Sequence, residues 1–172
     1  MRRTGPQRRR IAVAADRLYL WLRHRDAWRS STADATTSRR GFSSLDGHKY
    51  CLLSTFRKSG EAVPTPVWFG LAEGNLYIRS EAGVGKIKRI RREPRVQIAP
   101  CTFRGRPLGP SAEGRARILT PGECERAERA LKANYGLQRR LYEGTVGRLL
   151  YAELLYIEVT PVNPAREVET DD

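Results

Sequence analysis

The stretch that sets the architecture is residues 49–80, KYCLLSTFRKSGEAVPTPVWFGLAEGNLYIRS. Residues 49–56 are apolar and β-prone. Arg57-Lys58-Ser59-Gly60 reads as a hairpin turn in which the glycine is free to take positive φ. Residues 62–70 predict a second strand. Pro64 and Pro66 offer no N–H to a ladder, which places that strand partly at an edge or a bulge. Ala72-Glu73-Gly74-Asn75 is the next turn, and residues 76–80 form a third strand.

Outward from this meander the hydrophobic period changes. Residues 86–93 predict a short helix with Ile87 and Ile90 on one face and basic residues on the other, stopped by Pro94. Strands follow at 95–101 and 114–119. A helix at 122–135 is introduced by Thr120 and Pro121 as N-cap and first-turn residues. A second helical stretch is expected at 137–150 and a last strand at 153–160. Six strands joined as hairpins predict a mainly β (α+β) chain, a small closed antiparallel barrel with flanking helices.

The flanks read differently. Residues 1–40 hold eleven of the 27 arginines and only three aspartates. They read as a basic N-terminal extension, disordered or loosely helical, with an amphipathic stretch at 11–28. The folded domain is expected at 41–161 and a polar tail at 162–172. The whole chain has 172 residues and a formal net charge of +13, but most of that excess lies in the extension. No run approaches the roughly 20 apolar residues of a membrane span. Cys51, Cys101 and Cys124 form no CxxC pair, and only His24 and His48 could join them, so no zinc site is expected. Widely spaced thiols of odd number suit a reducing, cytoplasmic setting.

Two features carry chemistry. Arg79 and Ser80 end a strand, a glycine-containing loop follows, and Lys86, Lys88 and Arg89 open a basic helix. Glycines let amides converge, a helix N-terminus adds partial positive charge, and Ser80, Arg79 and Lys86 add a hydroxyl and full charges. Together these make a receptor for a phosphate ester, or else a solvated basic helix after a flexible turn. A P-loop is excluded, because Ser80 stands where glycine is required and Ile87 where Ser or Thr is required. The second feature is Pro66-Val67-Trp68, a rigid strand with unpaired main-chain groups that could lie along a planar ring, or else an ordinary barrel strand. No nucleophile elbow and no paired carboxylates occur, so no side chain is assigned as catalytic and a cofactor is expected to carry the reaction. Nucleic acid is not expected as a partner: Ile87 and Ile90 anchor the basic helix in a core, and no aromatic residues interleave it as a stacking platform.

The order of these motifs, with Pro94-Arg95-Val96, Ala99-Pro100-Cys101, Arg104-Gly105-Arg106-Pro107-Leu108-Gly109-Pro110 and Glu113-Gly114-Arg115-Ala116, resembles the pyridoxamine-phosphate-oxidase-like split barrels over residues 42–161. The resemblance is closest to their coenzyme F420-dependent oxidoreductase branch. It implies a six-stranded split β-barrel of the FMN-binding type that forms a homodimer, with cofactor sites at the subunit interface. It further implies that Ser80 and Lys86 bind the cofactor phosphate, with Arg79 and Lys88 as additional ligands, and that Pro66, Val67 and Trp68 face the ring. The function implied is hydride transfer between F420 and a small-molecule substrate; FMN is the alternative cofactor, and non-catalytic cofactor binding the alternative role. True pyridoxine-phosphate oxidases carry an Arg-x-His pattern near the C-terminus, and here no histidine follows His48. Candidate interface residues are Leu154, Tyr156 and Leu149-Leu150-Tyr151.

Overall fold

The structure, a computed structural model, describes residues 41–142 and 154–162. Its strands are β1 (Tyr50–Phe56), β2 (Ala62–Trp68), β3 (Gly70–Ala72), β4 (Asn75–Glu81), β5 (Arg95–Cys101), β6 (Ala112–Ile118) and β7 (Leu154–Pro161). Its α-helices are α1 (Gly85–Arg92) and α2 (Cys124–Tyr142). The predicted extension 1–40, most of the predicted tail and the stretch 143–153 lie outside the described residues.

The strands form a single antiparallel sheet in the order β2-β1-β5-β6-β7-β4-β3. The count is seven where six were expected, because the run 62–70 is not one strand. It breaks at Phe69: β2 pairs with β1, and β3 pairs with β4 at the far end of the sheet. A flat sheet of seven strands would hold its edges roughly 29 Å apart at ~4.8 Å per strand, whereas the link from Trp68 through Phe69 to Gly70 spans at most about 7 Å between Cα atoms. The sheet must therefore curl until its two edges meet at Phe69.

Closure is incomplete. β3 covers β4 only from Ala72↔Asn75 to Gly70↔Tyr77. Beyond Tyr77, β4 pairs with β7 alone, and β2 pairs with β1 alone. Beyond the seam at Phe69, β2 and β4 are not hydrogen-bonded to one another, which leaves a split. β2 is thus an edge strand, as Pro64 and Pro66 require.

The interior is filled by alternate residues of the strands, among them Cys51, Leu53, Val67, Ile78, Ile98 and Ile157. Ile87 and Ile90 of α1 enter the same core. On the outer face Tyr77 packs with Leu119, Ala127 and Ala130 beneath α2.

α2 also secures the crossing point. The N–H and C=O of Phe69 fall between two strands, so they cannot both enter a ladder. The Phe69 amide donates to the Tyr135 hydroxyl at 3.0 Å, and the Asn134 side-chain amide donates to the Phe69 carbonyl at 2.9 Å. Tyr135 in turn donates to the carbonyl of Lys49. Each such buried group left unmet would cost about 1–3 kcal/mol. Gly70 follows at once because no side chain fits: a Cβ there would stand 2.3 Å from the carbonyl carbon of Ala130.

α2 is reached through a 3-10 turn, Pro121–Glu123, capped by Thr120 as expected. The helix starts at Cys124 and continues to Tyr142, so the predicted boundary near residue 136 is absent. The Glu123 carboxylate accepts from the Thr120 amide (2.9 Å) and hydroxyl (2.8 Å) and pairs with Arg117 at 2.7 Å. Arg117 also donates to the buried Glu158 at 2.6 Å, and Tyr77 donates to Glu158 at 2.9 Å. A ladder of polar groups thereby ties the α2 entrance to β6, β7 and β4.

Two outcomes are expected. Gly70→Ala should lower stability by about 1–3 kcal/mol through overpacking against α2, measured by denaturant unfolding. Gly122→Ala, with open space at its Cβ position, should stay within about 0.5 kcal/mol of the parent; equal losses in both would show that the crossing is not tightly packed. The second outcome concerns acid. The Thr120 amide, then its hydroxyl, then Arg117 hold the Glu123 carboxyl down to about 2, against an ordinary value of 4.5. The unfolded chain therefore takes up this proton first as pH falls. The stabilisation is complete above about pH 4.5 and is lost on approach to about pH 2. Glu123→Gln should flatten that part of the Tm–pH curve, and an unchanged curve would count against the assignment.

Candidate functional site

The open edges of β2 and β4 frame the split, and the sequence-predicted site residues are distributed over β2 (Pro66, Val67, Trp68), β4 (Arg79, Ser80) and α1 (Lys86, Lys88). Strand alternation puts Ser80 on the interior face with Leu76 and Ile78, 5% exposed near the open end of β4. It puts Arg79 on the opposite face with Tyr77, across the ladder from Tyr156. Arg79 and Ser80 therefore do not converge, although they are neighbours in sequence.

Five residues after Ser80, α1 begins. Its N-cap, Val84, is extended and offers no side-chain acceptor, and its first turn contains no acidic residue. The positive end of the helix dipole is left without a carboxylate from its own first turn. Ile87 and Ile90 hold the helix down. Lys86, half-buried, flanks this anchored face on the first turn, whereas Lys88 is exposed on the solvent side.

Arg89 is a residue the sequence reading named only as part of a basic run. It stands one helical turn after Gly85, and its guanidinium folds back over that turn: a Cβ on Gly85 would lie 2.9 Å from Nη1. Its Nε donates to Thr55 Oγ1 at 2.7 Å, which fixes the group against β1. Arg92 is tied nearby, donating from Nη2 to the Phe56 carbonyl at 2.5 Å. The signal for Arg89 was present in sequence, at i+4 from a helix-opening glycine. Its anchor, 34 residues earlier, was not visible there.

On the other border, Val67 points into the core opposite Cys51, while Pro66 and Trp68 lie on the outer face opposite Leu52 and Tyr50. The Trp68 ring stacks on Tyr135 at 4.8 Å and 19°, and Tyr50 packs tilted against it at 6.5 Å. Tyr50 also meets Phe103 edge-on at 5.5 Å. Three of the predicted residues thus share one edge strand, yet only Val67 faces inward. Tyr135 and Asn134 were missed altogether, since nothing in sequence links them to residues some 66 positions away.

The Cys51 and Cys101 thiols are not poised for chemistry. Burial pushes the Cys51 thiol well above its ordinary value and raises Cys101 to about 12, and all three cysteines are free. Among the described residues no three His, Cys, Asp or Glu side chains gather as metal ligands. No helix among them is long and apolar enough to cross a membrane.

What the arrangement offers chemically is backbone donors and positive charge at the α1 N-terminus and unpaired main-chain groups along the β2 edge. A search of curated proteins finds no match. Among solved structures, a conserved hypothetical protein from Mycobacterium tuberculosis is 17% identical, with a TM-score of 0.51 over 75% of this chain and 83% of that one. A heme-binding protein from Mycobacterium smegmatis is 16% identical, with a TM-score of 0.49 over 82% of this chain and 55% of that one. A FAD-binding protein from Mesorhizobium loti is 17% identical, with a TM-score of 0.44 over 68% and 89%. The first shows a shared fold. The family model described as pyridoxamine 5'-phosphate oxidase matches residues 42–152, well over half of the sequence and strands β1 to β6 of the curled sheet, and on that match the chain belongs to the pyridoxamine 5'-phosphate oxidase family.

Proposed function

We propose that the protein is a coenzyme F420-dependent oxidoreductase, in which the phosphate of the cofactor is held at the β4–α1 corner and its ring lies along the β2 edge. The observation that carries this reading is that Ser80 ends β4 a few residues before the α1 N-terminus, which no side chain caps, while Arg89 of α1 is anchored to Thr55 of β1, the strand that pairs with the proline-bearing edge strand β2. Thr55 is opposite Val63, and Pro66 to Trp68 lie three to five residues further along β2. That is roughly 10–17 Å of strand, a separation that suits a tricyclic ring joined to its phosphate by a short polyol chain. When bound, the cofactor would supply hydride transfer to or from a small-molecule substrate. The protein's own part is to bind the phosphate, align the ring edge and exclude water. Ser80 and Lys86 are the phosphate ligands in this reading, with Arg89 beside them; Arg79 and Lys88 take outlying places.

FMN satisfies the same two requirements, and titration of the protein with each cofactor, read by absorbance or fluorescence, separates them. Binding without turnover of any electron-poor substrate would favour a carrier role. Hydride transfer in a stopped assay would favour the enzyme.

The ring on an edge strand would keep one face towards water unless something covered it. A second copy of the chain is the simplest cover, and we place a homodimer in this reading. Leu154 is exposed and available to such an interface. Tyr156 is not, since it packs towards α2 and donates to Glu128 at 2.5 Å; Leu149, Leu150 and Tyr151 lie outside the described residues.

Two tests follow from this site. Loss of one charge-assisted contact worth ~1.5–3 kcal/mol should make Lys86→Ala bind the cofactor roughly 10- to 100-fold more weakly. Unchanged affinity in a folded variant would remove Lys86 from the site. Light scattering should give a dimer mass, with cofactor affinity falling as dilution separates the subunits. A monomer that binds tightly at every concentration would defeat the dimer.

A further inference from the structure

Tyr135 does more than satisfy one amide. Its hydroxyl accepts from Phe69 N–H, the first residue beyond β2, and donates to the carbonyl of Lys49, the last residue before β1. Those two residues flank Tyr50↔Trp68, the terminal pair of the β1–β2 ladder. One hydroxyl therefore closes the end of the hairpin that carries the proposed ring-binding edge. The ring of the same tyrosine stacks on Trp68, and Lys49 Nζ stands 5.8 Å above its centre. One residue earlier, Asn134 donates to the Phe69 carbonyl and, at 3.4 Å, to that of His48. Burial pushes the Tyr135 pKa upward, so the hydroxyl stays protonated and can donate and accept together.

We infer that Tyr135 and Asn134 of α2 form a clasp that positions Trp68 and the edge of β2 for the cofactor ring, so that a helix distant in sequence from either border of the split sets ring binding. This rests on the reading of the β2 edge given above. An edge strand is held by a ladder on one side only, and a ring aligned by its main chain would be sensitive to small shifts in register. Tyr135 and Asn134 are positioning residues, since they act through Trp68 and Phe69.

The test separates ring from phosphate. FMN and F420 are titrated into the wild-type protein, Tyr135→Phe and Asn134→Ala, with inorganic phosphate as the competitor that probes the anion corner alone. Tyr135→Phe keeps the stack on Trp68 and loses only the hydroxyl. The expected result is about five- to tenfold weaker binding of whichever cofactor the wild type binds, the scale of one hydrogen bond. A changed visible absorbance envelope of the bound ring and an unchanged inhibition constant for phosphate should accompany it. Equal weakening of cofactor and phosphate would mean a general structural role and would overturn the inference, as would no change in either. Should Tyr135→Phe not fold, Asn134→Ala decides by the same criteria. A wild-type protein that binds neither cofactor would sink the proposed function itself, and the clasp with it, which is a distinct result from a ring affinity that ignores Tyr135.

Discussion

One residue, Phe69, joins the two edges of a seven-stranded sheet, and most of the structure follows from that constraint. The sheet has to curl, because a single peptide cannot bridge the width of a flat one. Its interior then becomes an apolar core lined by alternate residues of the strands. The constraint also creates a difficulty: a residue between two ladders has main-chain groups that neither ladder satisfies. α2 resolves it with Tyr135 and Asn134, and Gly70 lets the helix backbone come close enough to do so.

The candidate site is a consequence of where closure stops. β3 is only three residues long, so it seals the seam near Phe69 and leaves the rest of β2 and β4 with open edges. α1 packs Ile87 and Ile90 into the core against β1 and β6. Its N-terminus, uncapped and free of acidic residues in the first turn, is thereby placed beside the end of β4. An anion-receptive corner and an unpaired strand edge arise from the same incomplete seam. Prolines at 64 and 66 keep that edge from recruiting a further strand through an unbroken ladder.

Polar groups outside the site serve the scaffold. The run from Thr120 through Glu123, Arg117 and Glu158 to Tyr77 links the start of α2 to three strands. It fixes one end of the helix, while Tyr135 fixes the crossing further along it. α2 is thus held at two points on the sheet, and its orientation there is set by hydrogen bonds as well as by the packing of Ala127 and Ala130.

Much of this was legible in the residues themselves. Turn chemistry at Ser59-Gly60 and Glu73-Gly74, the two prolines of β2, the 3.6-residue spacing of Ile87 and Ile90 and the stop at Pro94 determined the meander, the edge strand and α1, because each is a local steric or hydrogen-bonding rule. The serine, glycine and lysine of the β4–α1 connection pointed to a candidate anion site for the same reason. What tertiary structure alone decided is non-local. The break at Phe69 has no local signal, since β2 and β3 form one uninterrupted β-prone run and divide only because their ladder neighbours lie at opposite ends of the sheet. Arg79 and Ser80 part company through strand alternation relative to a core that sequence does not locate. The hold of Thr55 on Arg89, and of Tyr135 on Phe69, joins residues 34 and 66 positions apart, and such pairings exist only once the curl of the sheet has brought them into hydrogen-bonding distance.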